Sequence, residues 1–135
     1  MTGYVDPDPE NWAVFKSLPR DTPLRMLNLI KYRDVAAYPE GHPDHGKGLT
    51  GAQAYARYRE TLEPIVAALG GGFVWDGTLE CVVTGPPGEW DEAFVMGFPD
   101  AVAFFTMLKD PGYAANALPH RTAAVADSRL IRFGV

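Results

Sequence analysis

The sequence predicts an α+β fold in which one four-stranded antiparallel sheet carries helices on a single face. The segments with strand and helix patterns follow each other in the order β-α-β-β-α-β, which is typical of helices segregated to one side of a sheet. A strand predicted over Glu92–Phe98 is apolar on both faces, with Phe94 and Met96 on one side and Val95 on the other. Because the chain has only enough helix to cover one face, the second apolar face predicts self-association.

The chain is predicted to divide into an N-terminal extension over 1–23 and a folded domain over 24–135. The extension is expected to carry a short helix, since Asp8 is suited to cap it and Pro9 to occupy its first position. The residues expected to attach this helix to the domain are Trp12, Val14 or Phe15, and Leu18.

The domain is expected to begin with a strand over Leu24–Tyr32, followed by a loop over 34–49 that is rich in Gly, Pro and His. Such a long loop in a compact domain is often functional or mobile. Thr50 and Gln53 match a capping box at the start of a helix, which is predicted to extend to about Leu69.

The second half of the chain predicts the remaining elements. A second strand is expected over 73–84, interrupted at 76–77 by a bulge or a tight turn. After the strand at Glu92–Phe98, the pattern predicts a helix over 100–109, shorter helical pieces over 111–126 and a final strand over 129–133. This order corresponds to the ferredoxin-like arrangement.

Composition excludes several classes of function. The chain has 135 residues, 47% of them hydrophobic, and a net charge of −5 with no basic patch, so neither nucleic acid nor an anionic membrane is an expected partner. We expect a cytoplasmic protein, because no secretory signal and no membrane-spanning run is visible. Cys81 is the single cysteine and is expected to be a small buried residue in the second strand.

His120 and Arg121 are the candidate catalytic residues. They follow Pro119, which favours a helix start, where free N–H groups attract anions. Arg121 offers planar donors that suit a carboxylate or an enolate, and His120 is suited to act as a general acid or base. The alternative interpretation is that Arg121 pairs with a nearby carboxylate and that His120 is exposed.

A second group of residues predicts a ligand-binding surface. Asn28 is the lone amide on an apolar strand, and it is expected either to face a ligand cavity or to satisfy a neighbouring main-chain group. Tyrosines with an apolar ring and a polar tip suit a small aromatic or cyclic ligand, although core or lid packing is the favoured explanation for each of them. The candidate substrate-binding tyrosines are Tyr32, Tyr55, Tyr58 and Tyr113.

The loop over 34–49 contains one possible metal-binding motif. His42, Asp44 and His45 lie within four residues, and imidazole and carboxylate groups both suit zinc. The flanking glycines and the lack of a further ligand at helical spacing favour a solvated polar loop, so no metal is expected. No phosphate-binding glycine loop, nucleophile elbow or paired-cysteine motif is present in the sequence, and we expect no cofactor.

A series of aromatic, glycine and proline positions between about residues 24 and 133 has a characteristic order and spacing. These positions are Tyr55-x-x-Tyr58, Pro64, Gly70-Gly71, Gly88-Glu89-Trp90, Phe98-Pro99, Pro111-x-Tyr113 and Arg121. At these positions the chain resembles domain-of-unknown-function family 1330. The resemblance implies a dimeric α+β barrel, in which two four-stranded sheets face each other. It also implies a place in a wider group that includes cofactor-free monooxygenases, muconolactone isomerases and stress-responsive barrel proteins. The extension over 1–23 and the loop over 34–49 depart from the usual pattern of the family.

Two functions are consistent with these observations. The first is a homodimeric protein that binds a small organic acid and possesses cofactor-free isomerase or monooxygenase activity, with His120 as acid or base and Arg121 as the anion-binding group. The alternative is a non-catalytic binding or interaction module, which senses a ligand or serves as a dimeric scaffold.

Overall fold

Residues 3–135 of the computed structural model form four strands and four α-helices, while Met1 and Thr2 of the expected extension lie outside the described residues. The α-helices are α1 (Pro9–Ser17), α2 (Gly51–Ala68), α3 (Ala101–Lys109) and α4 (Leu118–Ala124). The strands are β1 (Leu24–Tyr32), β2 (Gly72–Thr78), β3 (Glu92–Phe98) and β4 (Val125–Gly134). A π-helical turn over Tyr113–Ala117 leads directly into α4. No helix among these residues is both long enough and apolar enough to cross a membrane.

The strands form one antiparallel sheet in the order β2-β3-β1-β4. The central strand β1 pairs with β3 from Leu24↔Phe98 to Ile30↔Glu92, and with β4 on its other side. The order of elements is β-α-β-β-α-β, with the additional helix α1 before β1. The predicted ferredoxin-like α+β fold is therefore confirmed.

The two faces of the sheet differ in what covers them. On one face, α2 and α3 contact the sheet, and Ile30, Phe94 and Met96 are buried beneath the helical layer. On the opposite face, Trp75 is 55% exposed and Phe133 is 50% exposed. The alternation along β3 predicts these two apolar faces, and the structure provides helical cover for only one of them.

Side-chain caps explain where three helices begin. Asp8 accepts hydrogen bonds from the main-chain N–H groups of Glu10 (2.9 Å) and Asn11 (3.3 Å) at the start of α1. Thr50 and Gln53 form the predicted capping box at the start of α2, and Asp100 caps α3. Each cap satisfies main-chain donors that have no partner within the helix, so these starts are encoded locally.

The helix of the extension is attached through aromatic side chains. Trp12 and Phe15 pack against Phe104 and Phe105 of α3, with ring centroids between 5.4 and 6.3 Å apart. Of the expected contacts, Trp12 and Phe15 are confirmed, whereas Val14 is 61% exposed. Leu18 is also exposed, because it is the C-cap residue that follows the last helical residue.

The second strand is shorter than predicted, since it ends at Thr78 and not at residue 84. β2 lies at the edge of the sheet and pairs only with β3, and their last pair joins Thr78 to Glu92, where β3 begins. The expected interruption at 76–77 is also wrong, because the register shifts between Phe73 and Trp75 instead. Beyond Thr78 a single main-chain hydrogen bond follows, from the N–H of Leu79 to the oxygen of Asp91 (3.0 Å), and no strand among residues 3–135 pairs with the chain after it.

Two further predictions fail for related reasons. Cys81 is exposed and lies outside any strand, because it belongs to the unpaired continuation of β2. The final strand begins at Val125 and not at residue 129, because β1 provides partners along its whole length, as far as the pair Tyr32↔Val125. Both differences depend on the length of a neighbouring strand, which is not a local property of the sequence.

Candidate functional site

A cavity of about 730 Å³ lies between the N-terminal segment and β4. One wall is formed by residues 4–18, which include Trp12 and Phe15, and the other by β4 with Met26 of β1. Arg121 and Arg132 are among the polar residues that line it. The N-terminal extension therefore forms part of this cavity.

Arg121 connects α4 to the N-terminal segment across this cavity. Its Nη1 donates a hydrogen bond to the main-chain oxygen of Val5 (2.5 Å), and its Nη2 donates to Ser128 Oγ (3.3 Å). Ser128 Oγ in turn donates to the main-chain oxygen of Tyr4 (2.7 Å). Within residues 3–135 Arg121 forms no ion pair with a carboxylate, so its positive charge is balanced only by neutral acceptors.

Arg132 is a second guanidinium in the cavity, and the sequence analysis did not single it out. Its Nη2 donates to the main-chain oxygen of Pro19 (2.8 Å), and the group lies 5.0 Å from the centroid of the Phe15 ring. Its Nη1 is buried and has no hydrogen-bond partner among the described residues. A buried donor without an acceptor is costly, which indicates that a ligand or solvent completes this position.

A smaller cavity of about 30 Å³ lies between the sheet and the helices, enough for about one water molecule. It shares Met26 and Leu130 with the larger cavity, so the two adjoin. Asn28 and Tyr58 line it, although Asn28 Nδ2 also donates to the main-chain oxygen of Met26 (3.2 Å). Both interpretations of Asn28 are therefore compatible with its position.

Two of the candidate tyrosines form a buried pair. The hydroxyl groups of Tyr58 and Tyr113 are 3.2 Å apart and hydrogen-bonded, and both residues belong to the hydrophobic core. Burial raises the pKa of Tyr58 well above its ordinary value of 10.0, so the phenol is neutral. Of this pair, Tyr58 lines the smaller cavity.

Tyr32 and Tyr55 lie in a neighbouring polar and aromatic cluster and line neither cavity. The Tyr32 hydroxyl donates to the Glu92 carboxylate, which also accepts a hydrogen bond from Arg59 Nη1 (3.0 Å). Tyr55 is 1% exposed, and its hydroxyl has no partner among residues 3–135. Burial raises the pKa of both phenols above their ordinary value.

His120 has different surroundings from Arg121, although the two are consecutive in α4. Its Nδ1 is hydrogen-bonded to the Tyr38 hydroxyl (2.6 Å), and its ring centroid is 5.5 Å from that of His42. Burial and the nearby His42 lower the pKa of His120 below its ordinary value of 6.5, so the imidazole is neutral near pH 7. Since consecutive helical residues point about 100° apart, the two side chains do not form one catalytic pair here.

The histidine-rich loop meets α4 at His120. Ligand-type atoms of His42, Asp44 and His120 all lie within 4.8 Å of one another. The buried Asp44 carboxylate accepts from Arg57 Nη1 (2.8 Å) and lies 3.4 Å from Lys47 Nζ. Burial alone would raise the pKa of Asp44, but the hydrogen bonds and charges of Arg57 and Lys47 lower it overall. The second histidine of the predicted motif, His45, is hydrogen-bonded through Nδ1 to the main-chain oxygen of Tyr38 (2.9 Å).

The order of the strands and the helical cover on one face define a ferredoxin-like domain with an N-terminal extension. Its residues 48–133 match the family described as Domain of unknown function (DUF1330), and the chain belongs to that family. No curated protein matches the sequence.

Solved structures support the fold over the whole chain. The crystal structure of methylated RPA0582 protein is 43% identical, with a TM-score of 0.88, and the alignment covers 100% of this chain and 96% of that one. A second structure of RPA0582, a protein of unknown function from Rhodopseudomonas palustris, is 42% identical with a TM-score of 0.87, covering 99% and 98% of the two chains. The extension and the loop over 34–49 are therefore features that this chain shares with a close relative.

Two more distant structures show a similar fold. A dimeric ferredoxin-like protein of unknown function from Thermobifida fusca is 16% identical, with a TM-score of 0.52 over 88% of this chain and 96% of that one. A dimeric protein of unknown function with a ferredoxin-like fold from Bacteroides fragilis is 13% identical, with the same TM-score over 84% and 96%.

Proposed function

We propose that the protein is a homodimeric α+β barrel that binds a small organic acid in the cavity between the N-terminal segment and β4. The observation that carries this proposal is Arg132 Nη1, a buried donor without an acceptor in residues 3–135. Arg132 lines a cavity of about 730 Å³ that Arg121 also lines. A carboxylate supplies the missing acceptor and the missing negative charge.

The walls of the cavity favour an acid with an aromatic or cyclic body. Trp12, Phe15, Met26 and Leu130 contribute apolar surface. The charged part of the lining consists of Arg121, Arg129 and Arg132 together with Asp6 and Asp8. Binding sites for small molecules commonly combine a mostly apolar lining with a few placed polar groups. An arginine is well suited to the carboxylate, because its planar donors match the two carboxylate oxygens.

The open face of the sheet supports the homodimer. Val95 in the centre of this face is flanked by Leu27 and Trp75 on the neighbouring strands, and none of the three is buried. An exposed apolar surface of this kind is typical of a protein interface. Two structural neighbours of this fold are described as dimeric, so a second copy of this chain is the partner we propose.

His120 does not line the cavity that contains Arg121. This supports ligand binding in the cavity more than a catalytic role of His120 there. Isomerase or cofactor-free monooxygenase activity on the bound acid stays a prediction, as does a non-catalytic role in sensing. The two are distinguished by incubating the protein with any acid that binds, in air, and analysing the mixture for a product. Turnover that disappears in His120→Ala supports the catalytic role, whereas binding without any product supports sensing.

Ligand binding is tested by thermal shift and calorimetry with paired probes. Each small aromatic or cyclic carboxylate, such as benzoate, is compared with its neutral amide. We expect the acids to raise the melting temperature, because a ligand that binds only the folded state stabilises it, and the amides to bind more weakly.

Arginine variants locate the site of binding. Arg132→Gln and Arg121→Gln are expected to weaken acid binding about tenfold or more, because a charged hydrogen bond contributes about 1.5–3 kcal/mol. Arg33→Gln is the matched control, since Arg33 is exposed and does not line the cavity. The proposal fails if no acid in the panel binds, or if Arg132→Gln and Arg33→Gln bind it equally well.

A further inference from the structure

We propose that His42, Asp44 and His120 form a binding site for one divalent transition-metal ion of the zinc type, separate from the cavity of Arg121. The ligand-type atoms of the three side chains lie within 4.8 Å of one another. None of the three lines the cavity between the N-terminal segment and β4. The site therefore does not depend on the proposed binding of an organic acid.

The donor set is one that zinc and related ions prefer. Imidazole nitrogens and carboxylate oxygens ligate Zn²⁺ at about 2.0–2.2 Å, and three protein ligands leave a fourth position for water. Such a set of two histidines and one carboxylate also accommodates other divalent first-row metals. Mg²⁺ and Ca²⁺ prefer oxygen ligands alone, so they are not expected to compete.

The fold holds two of the ligands in place through outer contacts. The Tyr38 hydroxyl is hydrogen-bonded to His120 Nδ1 (2.6 Å), which orients the ring and leaves Nε2 for the ion. Arg57 Nη1 holds Asp44 Oδ2 (2.8 Å), and the Asp44 side chain is buried. Metal ligands in proteins are commonly oriented by hydrogen bonds of this kind.

The third ligand requires a local change. The main-chain N–H of Asp44 donates to His42 Nδ1 (3.0 Å), so the ring must give up this hydrogen bond when it binds an ion. Arg57 Nη1 (2.8 Å) and Lys47 Nζ (3.4 Å) also place positive charge directly beside the Asp44 carboxylate, which opposes the binding of a cation. Both effects lower the affinity for the ion.

Tag-free protein is first treated with a chelator and dialysed to remove bound metal. It is then titrated with Zn²⁺ in a calorimeter and, separately, with Co²⁺ in a spectrophotometer. We expect saturable binding of one ion per chain and the visible absorption of four- or five-coordinate Co²⁺. His120→Ala and Asp44→Asn are expected to weaken binding at least about 10- to 100-fold, because that is the effect of removing even an outer hydrogen-bond partner of a ligand. His45→Ala is the matched control from the same loop and is expected to bind like the unchanged protein, because His45 contacts the main chain of Tyr38 instead.

The outcomes separate this proposal from the previous one. Binding that does not saturate, or that His45→Ala weakens as much as His120→Ala does, means an adventitious ion only and overturns the site. The absorption of the Co²⁺ complex is measured on the unchanged protein, so it decides the question even if a variant fails to fold. Arg132→Gln is expected to retain metal binding in full, since Arg132 lies in the other cavity.

Discussion

Arg121 in α4 donates a hydrogen bond of 2.5 Å to the main-chain oxygen of Val5, which lies 116 residues earlier in the chain. Two further contacts hold the same segment, because Ser128 Oγ donates to the oxygen of Tyr4 and the N–H of Tyr4 donates to Asp127 Oδ1. The N-terminal segment is thus attached to β4 and α4 by polar contacts along one wall of the larger cavity. The shape of that cavity depends on whether this segment stays attached.

Gly3→Ala is predicted to detach the N-terminal segment from β4. A Cβ atom at this position would lie 2.0 Å from the main-chain oxygen of Ala126, and a main-chain atom cannot move aside easily. We expect hydrogen exchange over residues 3–8 to become on the order of tenfold faster, because local opening of this segment exposes its main-chain N–H groups. The measurement is hydrogen exchange followed by mass spectrometry.

The control for this variant is Gly134→Ala at the end of β4, where an added Cβ meets no atom within 4 Å. It is expected to leave exchange over residues 3–8 unchanged. Equal exchange in the two variants would show that the segment tolerates a side chain at position 3 and is not closely packed.

Acid is predicted to release the same segment through Asp127. Burial alone would raise the pKa of this carboxyl, but the N–H of Tyr4 and the charge of Arg129 outweigh it and lower the pKa below its ordinary value of 3.8. A lowered pKa in the folded state stabilises the protein above the ordinary value, and this stabilisation is lost as the pH falls through the lowered one. We therefore expect constant anchoring above about pH 4 and progressive release below it.

The variant Asp127→Asn separates the contribution of the Asp127 carboxylate to stability from general acid unfolding. Urea unfolding of both proteins between about pH 2 and pH 7 should show a lower stability of the variant at neutral pH and convergence of the two curves in acid. Curves that stay parallel down to the lowest pH would mean that Asp127 does not anchor the segment.

Tyr58→Phe and Tyr113→Phe are predicted to destabilise the protein by about 1–2 kcal/mol each, because each leaves the hydroxyl of the other tyrosine buried without a partner. The double variant removes both hydroxyl groups and is expected to cost clearly less than the sum. Denaturant unfolding of the four proteins measures this coupling. Additive effects would show that the two hydroxyl groups do not depend on each other.

Tyr55→Phe provides the contrasting case. The Tyr55 hydroxyl is buried and has no partner within residues 3–135, so its removal takes away an unsatisfied polar group. We expect a stability that is unchanged or higher by up to about 1 kcal/mol. A loss comparable to that of Tyr58→Phe would reveal a hydrogen bond, for example to an ordered water molecule.

The parts of the fold that depend on residues close together in the sequence were predictable from it. Thr50 and Gln53 are three residues apart, and their capping box encodes the start of α2 without any tertiary contact. The alternation along β3 likewise predicts two apolar faces. The end of β2 at Thr78 was not predictable, because it is determined by where β3 begins.

In the candidate sites too, local sequence features were predictable and contacts between distant parts of the chain were not. Arg121 was identified because it follows Pro119, which was expected to begin a helix with free N–H groups. That expectation is wrong, because α4 begins at Leu118 as a direct continuation of the π-helical turn and Arg121 lies in its last turn. Arg132 lies in an edge strand, where an arginine is ordinarily solvated. Only the packing of Phe15 and Pro19 around Arg132 reveals the buried donor. Tyr38 and His120 are 82 residues apart, so the meeting of the histidine-rich loop with α4 is visible only in the tertiary structure.

Val95→Asp is predicted to dissociate the proposed homodimer. Val95 lies in the middle of the open face, where Leu27 and Trp75 are its cross-strand neighbours. A carboxylate there remains hydrated in a monomer but would be desolvated in a dimer interface without a partner, at a cost of several kcal/mol. Light scattering at micromolar concentration should give twice the chain mass of 14.7 kDa for the unchanged protein and the chain mass for the variant.

Val102→Asp is the matched control for this prediction. Val102 is an apolar residue of α3 that is 53% exposed on the helical side, away from the open face. It is expected to leave the dimer intact, because the same charge is added to a surface that no second copy covers. If the protein without substitutions is a monomer, the proposed homodimer is wrong. If both variants dissociate, the interface lies on the helical side instead.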